Sequence, residues 1–120
     1  MPNLSKKTGE IGETLASGFL EDKNYLILEK NINFSNFEID IIAKKNKKYF
    51  IIEVKTSSSL STSDPEDYMT QKKLKNLKKA AYFFSKKEKI KLENIYFDLI
   101  AIKLDKIKRI AKIKHYKNIC

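Results

Sequence analysis

Two short strings, Glu38-Ile39-Asp40-Ile41 and Glu53-Val54-Lys55, carry the residue types of a hydrolytic site. Both lie in runs of strand-forming residues, where successive side chains point to opposite faces of a sheet. Alternation sets Glu38 and Asp40 on the face opposite Phe37, Ile39, Ile41 and Ala43. It likewise sets Ile51, Glu53 and Lys55 opposite Phe50, Ile52 and Val54. A hairpin turning through residues 45–48 then brings Asp40, Glu53 and Lys55 onto one face of one sheet. Carboxylates inside strands are costly unless paired or bound to a cation. Two of them beside a lysine suit Mg²⁺, which takes oxygen ligands at roughly 2.0–2.1 Å and keeps several waters. The plainer outcome of the same residues is a salt-bridged patch on an exposed sheet face.

The flanking segments supply the elements that must hold these strings. Over residues 6–22, Ile11, Leu15, Ala16, Phe19 and Leu20 recur at helical spacing, with Ser5 as a candidate cap. Glu13 falls at the edge of that apolar arc, where a helix meets the sheet it covers, whereas Glu10 reads as a solvated charge favoured by the helix dipole. Strands are expected over 25–31, 37–44 and 49–55, with a turn at 33–36. The serine-rich stretch from Thr56 to Asp67, containing Pro65, reads as a mobile loop that either meets a phosphate strand or is a passive connector. A second helix is expected over roughly 66–86, with Met69, Leu74, Leu77, Ala80, Ala81 and Phe84 on one face. Tyr68, Lys72, Lys75, Lys79 and Lys86 share the opposite face, and Tyr82 flanks them. Like charges at this spacing destabilise a helix unless something compensates, so the stripe is either an anion-binding surface or a solvated face. For Lys72 both a phosphate contact and a solvated helix start stay open. Residues 95–104 form a buried strand, and 109–116 alternate apolar and basic as an edge strand does.

Composition bounds the function class. At 120 residues and 42% hydrophobic, residues 1–120 make one domain with a modest core. The formal net charge is +10, and of 25 basic residues only Arg109 is an arginine. Attraction to a polyanion explains such a balance, as does lysine-rich codon usage in an AT-rich genome. One cysteine, Cys120, and one histidine, His115, exclude a disulfide framework and a Cys- or His-based zinc site. No apolar run approaches the roughly 18 residues that span a bilayer, so no membrane partner is expected and the compartment is expected to be cytoplasmic.

The order helix, three strands, helix, strand, strand, with an Asp followed by Glu-x-Lys, resembles the PD-(D/E)XK nuclease superfamily. The chain more narrowly resembles the YraN-like family of predicted endonucleases, related to archaeal Holliday-junction resolvases. That similarity rests on Gly12-Glu13-Thr14-Leu15-Ala16, Glu38-Ile39-Asp40-Ile41-Ile42-Ala43, Glu53-Val54-Lys55-Thr56, Lys72 and Tyr96-Phe97-Asp98. It implies an α/β, restriction-endonuclease-like αβββαβ core with a mixed central sheet, here with an extra C-terminal edge strand. It also implies a metal-dependent endonuclease that binds nucleic acid, DNA foremost and branched DNA among its substrates. A non-catalytic DNA- or RNA-binding module on the same fold is the alternative. In such a site Asp40 and Glu53 bind Mg²⁺ or Mn²⁺, with the Val54 carbonyl as third ligand. Lys55 orients the attacking water and offsets charge on phosphorus. Glu13 completes the metal shell or bonds a metal water. Asp98 is either a second carboxylate behind the site or a structural one. Lys72, Lys75 and Lys79 contact nucleic acid, and a two-fold homodimer sets two sites on two strands. Two positions depart from the pattern: Phe37 stands where a glycine is usual, and Ser57 where an arginine offers a phosphate contact.

Overall fold

A computed structural model describes residues 4–34, 36–58 and 69–119. The apolar arc around Leu15 and Leu20 forms α1, Leu4–Asp22. It stops where Asn24 takes a left-handed φ of 70° and the Tyr25 N–H donates to the Leu20 carbonyl at 3.0 Å. An antiparallel meander follows, β1 (Leu26–Phe34), β2 (Phe37–Lys45) and β3 (Lys48–Ser58), with Asn46 at φ 58° in the β2–β3 turn. Next come α2 (Gln71–Glu88), a 3-10 turn at Leu92–Asn94, β4 (Ile95–Asp105) and β5 (Ile110–Tyr116). The strands make one sheet in the order β1-β2-β3-β4-β5. β4 runs parallel to β3, with α2 in the long connection that parallel pairing needs, and β5 returns antiparallel at the edge. The sheet is therefore mixed, and the element order is the expected one.

Each face of the sheet is covered by one helix. Ala16 and Leu20 of α1 pack with Ile41, Ala43, Ile52, Ile100 and Ile102. On the other side Leu77, Ala80, Ala81 and Phe84 of α2 pack with Ile39, Ile42, Ile51 and Ile95. Burial on both faces is why residues 95–104 read as a continuous apolar run rather than an alternating one. At Gly12 a Cβ would lie 1.7 Å from Thr56 Oγ1, so the missing side chain is what lets α1 lie down on β3. No helix among the described residues is long and apolar enough to cross a membrane.

Three local expectations change. Phe37, Ile39, Ile41 and Ala43 do not share one face. Phe37 and Ile39 join the α2 layer, Ile41 and Ala43 the α1 layer, so β2 slips by one position at Asp40. The β2–β3 pairs end at the same point, Ile41 with Ile52. Beyond it β2 stays paired with β1 and β3 with β4, which leaves a fork between the two central strands. Second, Thr56 and Ser57 are strand residues: parallel pairing with Ile102 and Lys103 carries β3 past the point where local propensity alone would end it. Third, α2 starts at Gln71 rather than near 66, because Thr70 caps it by accepting the Lys73 N–H on Oγ1 at 3.2 Å. The Ser5 side chain, Tyr68 and residues 59–67 of the expected loop lie outside the described residues.

Candidate active site

The fork is where the candidate residues collect. Asp40 sits at the slip in β2, and its Oδ2 accepts the Val54 N–H of β3 at 2.8 Å, bridging strands that no longer pair there. Glu38, two residues back on β2, and Glu13 of α1 each bring a carboxylate oxygen within 4.8 Å of the Asp40 carboxylate and of one another. Asn31 of β1 takes a left-handed φ of 53° beneath them. With its amide nitrogen facing the carboxylates, Asn31 donates to Glu38 Oε1 and to Glu13 Oε2, both at 2.9 Å. Glu53 approaches from the α2 side, consistent with Ile51 in that layer, and its Oε1 pairs with Lys73 Nζ at 3.3 Å. Asp40 and Glu53 are electrostatic neighbours at the fork, the one bonded to the Val54 N–H and the other held by Lys73 of α2.

Electrostatics mark this cluster as incomplete. Burial first, then the Glu53 charge, pushes the Asp40 carboxyl up to about 8 against the opposing pull of the Val54 N–H, with Glu13 and Glu38 adding to the rise. Burial also raises Glu53, while Lys73 and then Lys55 hold it down. Glu13, Glu38 and Asp40, with Glu53 as an electrostatic neighbour, offer an oxygen-only set of the kind a hard cation such as Mg²⁺ or Mn²⁺ takes. Beside them a hollow of about 430 Å³ opens between the start of α1 and the end of β3, lined by Glu13, Val54, Lys55, Thr56 and Ser57 among others. It is wide enough for a phosphate group and its waters.

Of the residues singled out in the sequence, Asp40, Glu53, Val54, Lys55 and Glu13 meet around the fork. Val54 engages through its N–H, and Lys55 through its charge on Glu53 and its place in the hollow. Lys72 is exposed near the start of α2, and it is its neighbour Lys73 that pairs with Glu53. Lys75 and Lys79 are exposed further along α2. Glu38, Asn31 and Lys73 were missed. Glu38 carried a signal, since it shares Asp40's face two residues away. Lys73 hid among neighbouring lysines, and nothing in the sequence marked Asn31. Asp98 resolves to the structural alternative: it is fully buried, with Oδ2 2.7 Å from His115 Nε2 and Oδ1 accepting the Asn118 N–H at 2.9 Å.

The model of Uncharacterised protein family UPF0102 matches residues 12–102, a stretch that begins at Gly12 and contains every residue of the fork. The chain belongs to UPF0102. A UPF0102 protein of Flavobacterium johnsoniae is 41% identical over 97 residues, 78% of this chain and 79% of the relative. One from Flavobacterium psychrophilum is 40% identical over 110 residues, 92% and 90% of the two chains. A third, from Syntrophomonas wolfei, is 35% identical over 115 residues, 96% and 98%. The YraN-like resemblance is borne out at this level, and the family match runs from the middle of α1 through most of β4.

Proposed function

We propose that this UPF0102 protein is a PD-(D/E)XK-type phosphodiester hydrolase that acts on nucleic acid, DNA foremost, with Mg²⁺ or Mn²⁺. The observation that carries the reading is the carboxylate cluster at the fork. Asp40 is half-buried beside Glu13, Glu38 and Glu53, and the cations that act here, Lys73 and Lys55, pull on Glu53. Burying like charges is unfavourable unless a cation joins them. Asp40, Glu53 and Glu13, with the Val54 carbonyl, would hold it, and Glu38 is an added donor. When bound, the ion would polarise a phosphoryl oxygen and make water a better nucleophile.

The chain's own groups do the rest. The Val54 N–H fixes the rotamer of Asp40, and Lys73 fixes Glu53, so neither carboxylate must be ordered at the moment of reaction. Asn31 does the same for Glu13 and Glu38. Lys55, lining the hollow, donates to a phosphate oxygen and offsets the charge that develops on phosphorus. The exposed lysines of α2 attract the backbone of the substrate.

The test is incubation of the purified protein with a panel of linear, nicked, flapped and four-way DNAs in Mn²⁺, beside Asp40→Asn. Cleavage by the parent and not by the variant is expected. No cleavage of any substrate, or equal cleavage by both proteins, overturns the assignment.

A further inference from the structure

Away from the fork, the outer face of α2 carries an arrangement that a solvated helix has no use for. Tyr82 and Phe83 are 52% and 58% exposed, although large aromatic side chains are among the costliest to leave in water. They line a groove of about 650 Å³ with Lys75, Lys78, Lys79 and Phe37. The rings are ordered rather than splayed: they meet edge to face, centroids 6.2 Å apart at 75°, and the Lys86 ammonium lies 5.4 Å from the Tyr82 centroid. A surface that pairs exposed aromatic rings with cations of one sign matches a ligand that is planar and anionic in alternation.

We propose that this groove holds an unpaired nucleic-acid strand, with a base stacked on Tyr82 or Phe83 and its phosphates on Lys75, Lys78 and Lys79. The inference rests on the nucleic-acid reading above and gives it a substrate class, DNA with a single-stranded segment beside the scissile bond. A duplex keeps its bases stacked on one another and offers such rings only its sugar–phosphate exterior, whereas a single strand presents base faces to aromatic side chains. The groove also begins beside the fork: Phe37, which lines it, is followed in β2 by Glu38 of the carboxylate cluster. A second copy of the chain is the other natural cover for two exposed rings. A two-fold contact, however, would set a patch carrying Lys75, Lys78 and Lys79 against an identical patch, and like charges brought together at an interface oppose association.

The experiment measures binding alone, in EDTA, so that it does not depend on cleavage. Fluorescence anisotropy compares a short oligothymidylate, an abasic oligomer with the same number of phosphates, and a blunt duplex. The parent protein should bind oligothymidylate about tenfold tighter than the abasic strand. Tyr82→Leu with Phe83→Leu should erase that preference and leave the salt slope unchanged, and Tyr82→Trp should restore it in the Phe83→Leu background. Both positions are exposed, and a thermal melt confirms that the variants fold. Equal affinity of the parent for base-bearing and abasic strands overturns the proposal, as does a preference that survives in the double variant. A parent dimer that the double variant converts to monomer overturns it in favour of self-association. Failure of the parent to bind any of the three at low salt overturns the nucleic-acid reading itself.

Discussion

Two aspartates of one sheet, Asp98 fully buried and Asp40 half-buried, are treated in opposite ways. Asp98 on β4 is sealed from solvent, and both of its oxygens are engaged, one by His115 of β5 and one by the Asn118 N–H. Phe19 and Tyr25 close over the imidazole with ring centroids 6.1 Å from it, and the charge of Asp98 helps burial to raise the Tyr25 hydroxyl. Asp40 on β2 receives one N–H and otherwise looks at three more carboxylates. A satisfied buried carboxylate holds strands together. One surrounded by its own kind costs stability in the free protein, and that cost makes sense where a ligand repays it. The comparison teaches that the sign of a carboxylate's neighbours separates a strand-holding acid from one poised for a ligand.

The comparison breaks most visibly at Asp40. Asp40→Asn keeps the Val54 contact and removes the ionisable carboxyl, so hydrolysis should fall on the order of 10³-fold while the cation-free protein, no longer having to take up a proton on folding, gains stability at neutral pH, read by nuclease assay and thermal melt. The opposite pattern is expected on the other side. His115→Ala leaves Asp98 buried without one partner and should cost about 3 kcal/mol or more in urea unfolding, with cleavage at low temperature nearly unchanged. A His115 variant that melts like the parent would remove the contrast.

A third outcome follows from linkage. The folded Asp40 holds its proton up to about 8, whereas the unfolded chain releases it near 3.8. The native state therefore binds more protons between those values, and stability without metal should fall as pH rises through that window. Mg²⁺ needs the deprotonated carboxylates, so its stabilising effect should grow over the same window. It should reach about 2.7 kcal/mol at a hundredfold excess over its dissociation constant. Melts at about pH 5 and about pH 8, with and without the ion, decide it; an equal shift at both would sink the cluster as a cation site.

Smaller effects sharpen the picture along α2. Replacing Lys72, Lys75 and Lys79 by Gln should lower the slope of log K against log salt by roughly 0.9 for each duplex phosphate that is no longer neutralised. Lys73→Met separates positioning from attraction. It should weaken Mg²⁺ affinity about tenfold by freeing Glu53, while global stability moves by less than about 1 kcal/mol because the pair is partly exposed. An unchanged Mg²⁺ titration would make that ion pair a surface feature only.

The sheet and both helices were legible because periodicity reports burial, and burial built these layers. The α2 face from Met69 to Phe84 reads directly from spacing. What the sequence could not show was the slip at Asp40, since strict alternation is the only rule a lone strand offers. That slip turns a flat face into a fork and decides which helix each carboxylate meets. Lys73 rather than Lys72 follows from where Thr70 starts the helix, a matter of one residue, or 100° of rotation. Asn31 and His115 were invisible for a different reason. Their partners lie on other elements, Glu13 and Glu38 for one and Asp98 for the other, and only the tertiary fold brings them close.

The bare backbone of Gly12 against Thr56 reaches further than packing. Gly12 is the residue before Glu13, so the distance at which α1 rides over β3 is also the reach of the Glu13 carboxylate. A single methyl group there would lift the helix like a shim under a hinge and swing the acid away from the fork. Activity would then register the change before the melting curve did. In a saturation screen scored by function, a position with no donor atom would look as intolerant as the ligands themselves.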